Sequence, residues 1–221
     1  PLNKLKKYKK EENTILFLQK KIKYYLKSER YLRGPALNNR KLSNNREDFY
    51  TFEEIDKFFS AKNCKLLTLK EVLINFPETK FNIDLKSKEV IRESINIVKE
   101  LKAFDRVCFA SFNSSHTDEV LIDSPSAVVS MGMKDVAYFK FFNYLRKDSK
   151  ILQVPLNWKG INILNSKLIR KAKDKDLFIH VWTINDRESI TKLMDMGVHG
   201  IVTDKPELIM EIMKEKNLIF S

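Results

Sequence analysis

In Lys80-Phe81-Asn82-Ile83-Asp84-Leu85-Lys86, polar and apolar residues alternate. As a strand, this run puts Asn82, Asp84 and Lys86 on one face and Phe81, Ile83 and Leu85 on the other. A carboxylate and an ammonium two residues apart at a strand end can do two kinds of chemistry. The Asp oxygens are hard ligands for a divalent cation, and the Lys is a point-charge partner for a phosphate. The same two residues can also close a lumen as a buried ion pair. A second run, Leu177 to Thr183, puts Phe178, His180 and Trp182 on one face with Trp182 at its end. The histidines are His116, His180 and His199. His199 opens a strand, and His180 lies a layer below a strand end, where a hydrogen-bonded core role is expected. His116 follows a strand end in a polar stretch and is the candidate for proton transfer.

The elements that position these residues follow from periodicity. Residues 177–183 form an apolar, β-branched and aromatic run without a turn former, as expected of a strand covered on both faces. Asn185 or Asp186 caps the next helix, which carries Ile190, Leu193, Met194 and Met196 and ends at Gly197. Residues 198–203 form the following strand, completing a parallel βαβ unit. Upstream the alternation repeats. Strands are expected over 80–86, 106–112, 127–131 and 151–154, with helices over 90–101, after 112, over 136–145 and over 168–173. Six β/α units imply a parallel sheet with helices outside and functional groups at the C-terminal strand ends. Before them, Thr51 and Thr68 cap two helices, the second carrying Leu69, Val72, Leu73 and Ile74 and closed by Pro77.

Composition narrows the class. The chain has 221 residues, enough for one domain with a sizeable core. Its 2 cysteines, Cys64 and Cys108, are too few for a disulfide framework, which fits a reducing compartment and a cytoplasmic location. No run of 18 apolar residues is present. Residues 1–50 hold 14 Lys+Arg against 5 Asp+Glu, so nine of the chain's twelve excess positive charges lie there. A basic amphipathic helix is expected over about 14–32. It suits solvated docking first and a peripheral contact with an anionic membrane second; nucleic acid is the weaker partner.

Val181-Trp182-Thr183-Ile184-Asn185-Asp186, then Met196-Gly197-Val198, then His199-Gly200-Ile201-Val202-Thr203-Asp204-Lys205-Pro206 resembles the last two β/α units of glycerophosphodiester phosphodiesterases. Thr68-Leu69-Lys70-Glu71-Val72-Leu73 followed by Phe76-Pro77 resembles the same family's approach to its third strand, so the resemblance runs from about residue 48 to the C-terminus. It implies a TIM-type (β/α)8 barrel, an α/β fold of which this chain shows about six units behind a basic helical N-terminal arm. The expected organisation is an arm and loop at 1–47 and a barrel portion at 48–221. The resemblance further implies metal-dependent hydrolysis of glycerophosphodiesters to glycerol 3-phosphate and an alcohol. By it, Asp84 stands for a carboxylate that binds a divalent metal, Mg or Ca, with Asp where Glu is common. Lys86 faces the substrate phosphate, and Trp182 is an apolar wall for the glycerol end. The family's catalytic histidines come from a His-Arg-Gly on the first strand and a His-Asp after the second. Neither motif occurs here, no Glu-x-Asp follows a strand in residues 1–66, and His116 matches no catalytic position of the family. Two readings stay open: a phosphodiesterase truncated or catalytically impaired as given, or a non-catalytic module of the same fold that binds phosphate or anionic lipid.

Overall fold

The computed structural model describes residues 67–146 and 148–218. The basic arm expected at 1–47 and the helix expected from Thr51 lie outside the described residues.

The first described helix, α1 (Leu69–Asn75), starts where Thr68 predicts. The Glu71 amide donates to Thr68 Oγ1 (3.2 Å) and the Thr68 amide donates to Glu71 Oε2 (2.8 Å), which satisfies two of the helix's open donors reciprocally. At its other end Arg106 donates to the carbonyls of Leu73 (2.8 Å), Phe76 (3.0 Å) and Thr79 (3.3 Å), tying the helix to the start of the second strand.

Six parallel strands follow: β1 (Phe81–Asp84), β2 (Val107–Ala110), β3 (Val128–Val129), β4 (Ile151–Val154) and, after a small hairpin of β5 (Asn157–Trp158) with β6 (Ile161–Asn162), β7 (Phe178–Val181) and β8 (Gly200–Ile201). They pair in the orders β1-β2-β3 and β4-β7-β8, and a parallel bridge between Ser130 and Ile151 links the two ladders. Among the described residues β1 and β8 are edge strands, so the parallel wall does not close within them. Helices α2 (Ile91–Glu100), α3 (Ser114–Asp123), α4 (Met133–Phe142), α5 (Ser166–Lys173), α6 (Arg187–Asp195) and α7 (Pro206–Glu215) alternate with the strands. Asn165 and Asp186 cap α5 and α6 by accepting from the amides of Leu168 (2.9 Å) and Ser189 (2.8 Å).

Strand parity is as expected. Phe81, Ile83 and Leu85 are buried with Val90, Ile91, Val98 and Phe109 on the helix side, while Asn82, Asp84 and Lys86 are half-buried on the other. A second apolar cluster joins Leu152, Val154, Ile179 and Val181 to α5, α6 and α7. On the inner face Gln153 donates to Asn82 Oδ1 (2.8 Å) from β1 to β4, which shows how far the wall curls. Two elements depart from expectation. Helix α4 begins at Met133 and ends at Phe142, three residues earlier than the 136–145 pattern, because Asp135 accepts from the Gly132 amide (3.3 Å) and Asn143 turns left-handed at φ 58. The hairpin of β5 and β6 was not expected at all. Among the described residues no helix is long and apolar enough to cross a membrane.

Candidate active site

The C-terminal ends of β1, β2, β4 and β7 meet at one mouth. From β1, the Lys86 ammonium forms an ion pair with Asp84, and their side chains are 25% and 22% exposed. Parity along β2 carries Cys108, Ala110 and then Phe112 on the inner face, and Lys86 Nζ lies 5.0 Å from the centre of the Phe112 ring. Phe112 in turn packs against Trp182 (5.5 Å between ring centres), which ends the strand run of β7. Asp84, Lys86 and Trp182 are therefore brought together, with Phe112 as the joining residue. Trp158 from the hairpin completes the cluster, 6.4 Å from Phe112 and 6.3 Å from Trp182.

The loop after Trp182 is held from β8. Asn185 Oδ1 accepts from Thr203 Oγ1 (3.0 Å) and from the Asp204 amide (2.8 Å), and its Nδ2 donates to Asp204 Oδ2 (3.1 Å). These bonds give the Thr203-Asp204 pair a positional role beside Trp182.

His116 lies in the first turn of α3, at the same end of the wall. Its Nδ1 is 3.2 Å from the carbonyl of Leu85, the residue between Asp84 and Lys86, and 3.1 Å from Ser111 Oγ. A carbonyl only accepts, so the Leu85 contact requires the proton to sit on Nδ1. His180 lies lower on the inner wall over Gly200, where an added Cβ would come within 2.7 Å of the imidazole. Burial, with His199 nearby, lowers its pKa from 6.5 to about 4, so it is neutral at physiological pH. His199 immediately precedes β8, and its Nδ1 accepts from the Ile179 amide (3.1 Å), a structural bond away from the mouth. Burial pushes the Cys108 thiol up to about 12, which leaves it a poor nucleophile.

A divalent cation takes six to eight oxygen ligands, or an octahedron that includes several waters. Among the described residues no three His, Cys, Asp or Glu side chains gather to hold a metal, and the Asp84 carboxylate is occupied by Lys86. The described residues alone do not fit the metal that the resemblance implies.

Comparison with known proteins places this geometry. The sequence pattern of the glycerophosphoryl diester phosphodiesterase family matches residues 2–208. The chain belongs to that family. The match reaches further toward the N-terminus than residue 48. The chain is 22% identical over 156 residues to a probable glycerophosphodiester phosphodiesterase of Mycobacterium tuberculosis, covering 66% of this chain and 59% of that protein. It thus spans less than two thirds of that relative's length. Among solved structures, a putative glycerophosphodiester phosphodiesterase from Galdieria sulphuraria matches with a TM-score of 0.63 at 16% identity, over 83% of this chain and 80% of that one. An Oleispira antarctica phosphodiesterase solved with the product sn-glycerol-3-phosphate matches with a TM-score of 0.54 at 18% identity, over 68% of this chain and 62% of that one. The fold is accordingly the TIM-type barrel of the family, with parallel sheets whose closure is incomplete within the described residues.

Two members of the cluster were not singled out from sequence. Phe112 lay within reach of the same parity argument, since Cys108, Ala110 and Phe112 alternate in the strand expected over 106–112, although β2 itself ends at Ala110. Trp158 depended on recognising a hairpin with two-residue strands.

Proposed function

We propose that the mouth binds the phosphate of a glycerophosphodiester or of glycerol 3-phosphate, and that hydrolysis to glycerol 3-phosphate and an alcohol is the reaction to which it belongs. One observation carries this: the Lys86 ammonium lies at the mouth between the Asp84 carboxylate and the face of Phe112. An ammonium held by one carboxylate is ready to exchange it for a phosphate, a better-charged acceptor, while Phe112 and Trp182 offer apolar surface to the carbon skeleton. The Oleispira antarctica structure with its bound product supports this choice of ligand.

Binding and turnover separate in this reading. The chain has no histidine in residues 1–115, so the paired histidines of the family have no counterpart in it. His116 is the remaining candidate for proton transfer at this end. The family's divalent metal, Mg or Ca, requires ligands in addition to Asp84. Phosphate affinity with slow hydrolysis is therefore the expected behaviour, because binding that does not favour the transition state leaves the rate unchanged. Isothermal titration with glycerol 3-phosphate, paired with an assay of its release from a glycerophosphodiester with Mg or Ca in excess, tests both halves.

The N-terminal 1–47 segment enters as a second proposal, a basic arm for an anionic membrane surface. The surplus of nine positive charges within residues 1–50 favours it.

A further inference from the structure

We infer that the outer face made by α4 and α5 docks on an anionic lipid bilayer, with the aromatic side chains at the C-terminal end of α4 entering the headgroup layer and the basic side chains of α5 lying on the lipid phosphates. The inference concerns the helical wall, and it rests neither on the phosphate reading of the mouth nor on the basic arm.

Helix α4 buries only a narrow stripe. Val136 and Phe139 enter the core, while Tyr138, Phe141, Phe142 and, just past the C-cap, Tyr144 are each more than half exposed, Phe142 at 74%. Tyr138 joins the group, 6.1 Å from Phe142 and 6.3 Å from Tyr144 between ring centres. An exposed apolar patch of this kind marks a contact surface. Aromatic rings with lysines beside them suit a bilayer interface, because the rings fit the depth of the headgroups and the ammonium groups reach the phosphates.

The neighbouring helix supplies the charge. Helix α5 carries Lys167, Arg170, Lys171 and Lys173 and no acidic residue, and α4 adds Lys134 and Lys140 against one acid, Asp135, which is paired with Arg146. Lys171 reaches across to α4 and donates to the carbonyls of Phe139 and Lys140 (both 3.1 Å), so the basic face and the aromatic patch adjoin. Lys140 Nζ donates to the Ile163 carbonyl (2.8 Å) and lies 5.7 Å from the centre of the Phe141 ring. Burial, and after it the charge of Lys171, lower the Lys140 pKa. Two ammonium groups that repel in this way gain from a phosphate between them, and an anionic bilayer offers that group. A second copy of this chain is the poorer occupant, since a two-fold contact would set the basic surface against itself.

Docking by this face has a direction. Helix α4 starts at the mouth, where the Met133 amide donates to the Phe112 carbonyl (2.9 Å), and runs back toward the start of β4, so its aromatic end lies away from the mouth. A docked molecule therefore keeps its mouth open to water.

Co-sedimentation of the full chain with phosphatidylcholine vesicles, with and without phosphatidylserine, tests the face. Wild type should partition onto the phosphatidylserine vesicles and hardly onto the neutral ones. Phe141→Ser with Phe142→Ser, and separately Lys167→Gln with Arg170→Gln, should each lower that partitioning about tenfold. All four side chains are exposed, so the melting temperatures should stay at the wild-type value. Phe142→Trp gives a readout that needs no loss of binding: its emission should be quenched by brominated acyl chains, whereas Trp158 and Trp182 of wild type, at the mouth, should not be. Arm and face act as two contacts on one surface, so deletion of residues 1–40 should lower partitioning as well. No partitioning of wild type, partitioning unchanged in both double variants or equal on neutral and anionic vesicles, or an unquenched Phe142→Trp would each overturn the inference. A dimer that the phenylalanine substitutions dissociate, with lipid partitioning unaltered, would overturn it in favour of a second copy. Loss in the face variants with none on deletion of the arm would remove the arm proposal and leave this one standing.

Discussion

The side chains of Asn82 and Gln153 exchange hydrogen bonds across the inside of the wall, from β1 to β4, with β2 and β3 between them. Gln153 Nε2 donates to Asn82 Oδ1 at 2.8 Å, and Asn82 Nδ2 donates to Gln153 Oε1 at 3.4 Å. Only a strongly curled sheet lets strands three apart touch. The pair lies one layer below Asp84 and so braces the strand that carries it. Asn82→Ala should cost about 1–3 kcal/mol by leaving the Gln153 amide without its partner. Combined with Gln153→Ala, the loss should fall short of additivity by about 0.5–1.5 kcal/mol. Urea denaturation of the double-mutant cycle measures this, and strictly additive losses would remove the brace.

His180 gives the fold an acid limit. Its pKa falls from 6.5 to about 4 on folding, so between those values the unfolded chain binds the extra proton. The stability tied to its neutral form is full above pH 6.5 and is lost as pH falls toward 4. At pH 4.5 the loss should be on the order of 2 kcal/mol relative to neutral pH. In His180→Gln the stability difference between pH 7 and pH 4.5, measured by denaturant titration, should shrink by about that amount. An unchanged difference would assign the acid sensitivity to other groups.

Period-2 alternation made the inner and outer faces of β1 and β7 legible, because a one-residue error would have moved Ile83 and Asp84 to each other's side. The caps at Thr68 and Asp186 work through bonds that span three residues, so they are local signals, whereas Asn165 caps a helix that starts two residues before the expected 168. Trp158 was harder to see. A tight hairpin turn usually announces itself through Asn-Gly or Asp-Gly, and here the first position is Lys159. His116 was placed after a strand end from sequence, but its anchoring to the Leu85 carbonyl and Ser111 is a contact between strand ends that no local pattern encodes. The arm expected at 1–47 lies outside the described residues, while the family match from residue 2 runs through it.

Turnover should be low. Loss of a positioned general acid alone costs roughly 10²- to 10⁴-fold, so release of glycerol 3-phosphate from a glycerophosphodiester should be slower by at least that factor than in a family enzyme with both histidines. Any residual rate to which His116 contributes should fall in His116→Ala. Robust metal-dependent release by the pure chain, insensitive to His116→Ala, would mean that another residue transfers the proton.

If the arm contacts anionic lipid, co-sedimentation with phosphatidylserine-containing vesicles should collapse when residues 1–40 are deleted and when salt is raised, since screening weakens attraction between separated charges. Binding unchanged by both treatments would remove the arm from the account.

Phosphate binding at this mouth should depend most directly on Lys86. Isothermal titration of sn-glycerol 3-phosphate into wild type and Lys86→Ala should show weak but measurable binding that falls by about tenfold to a hundredfold in the variant, the range for loss of a charge-assisted contact. Lys86→Arg, which keeps the charge, should retain most of the affinity. Equal binding by wild type and Lys86→Ala would contradict the assignment of this mouth as the phosphate site.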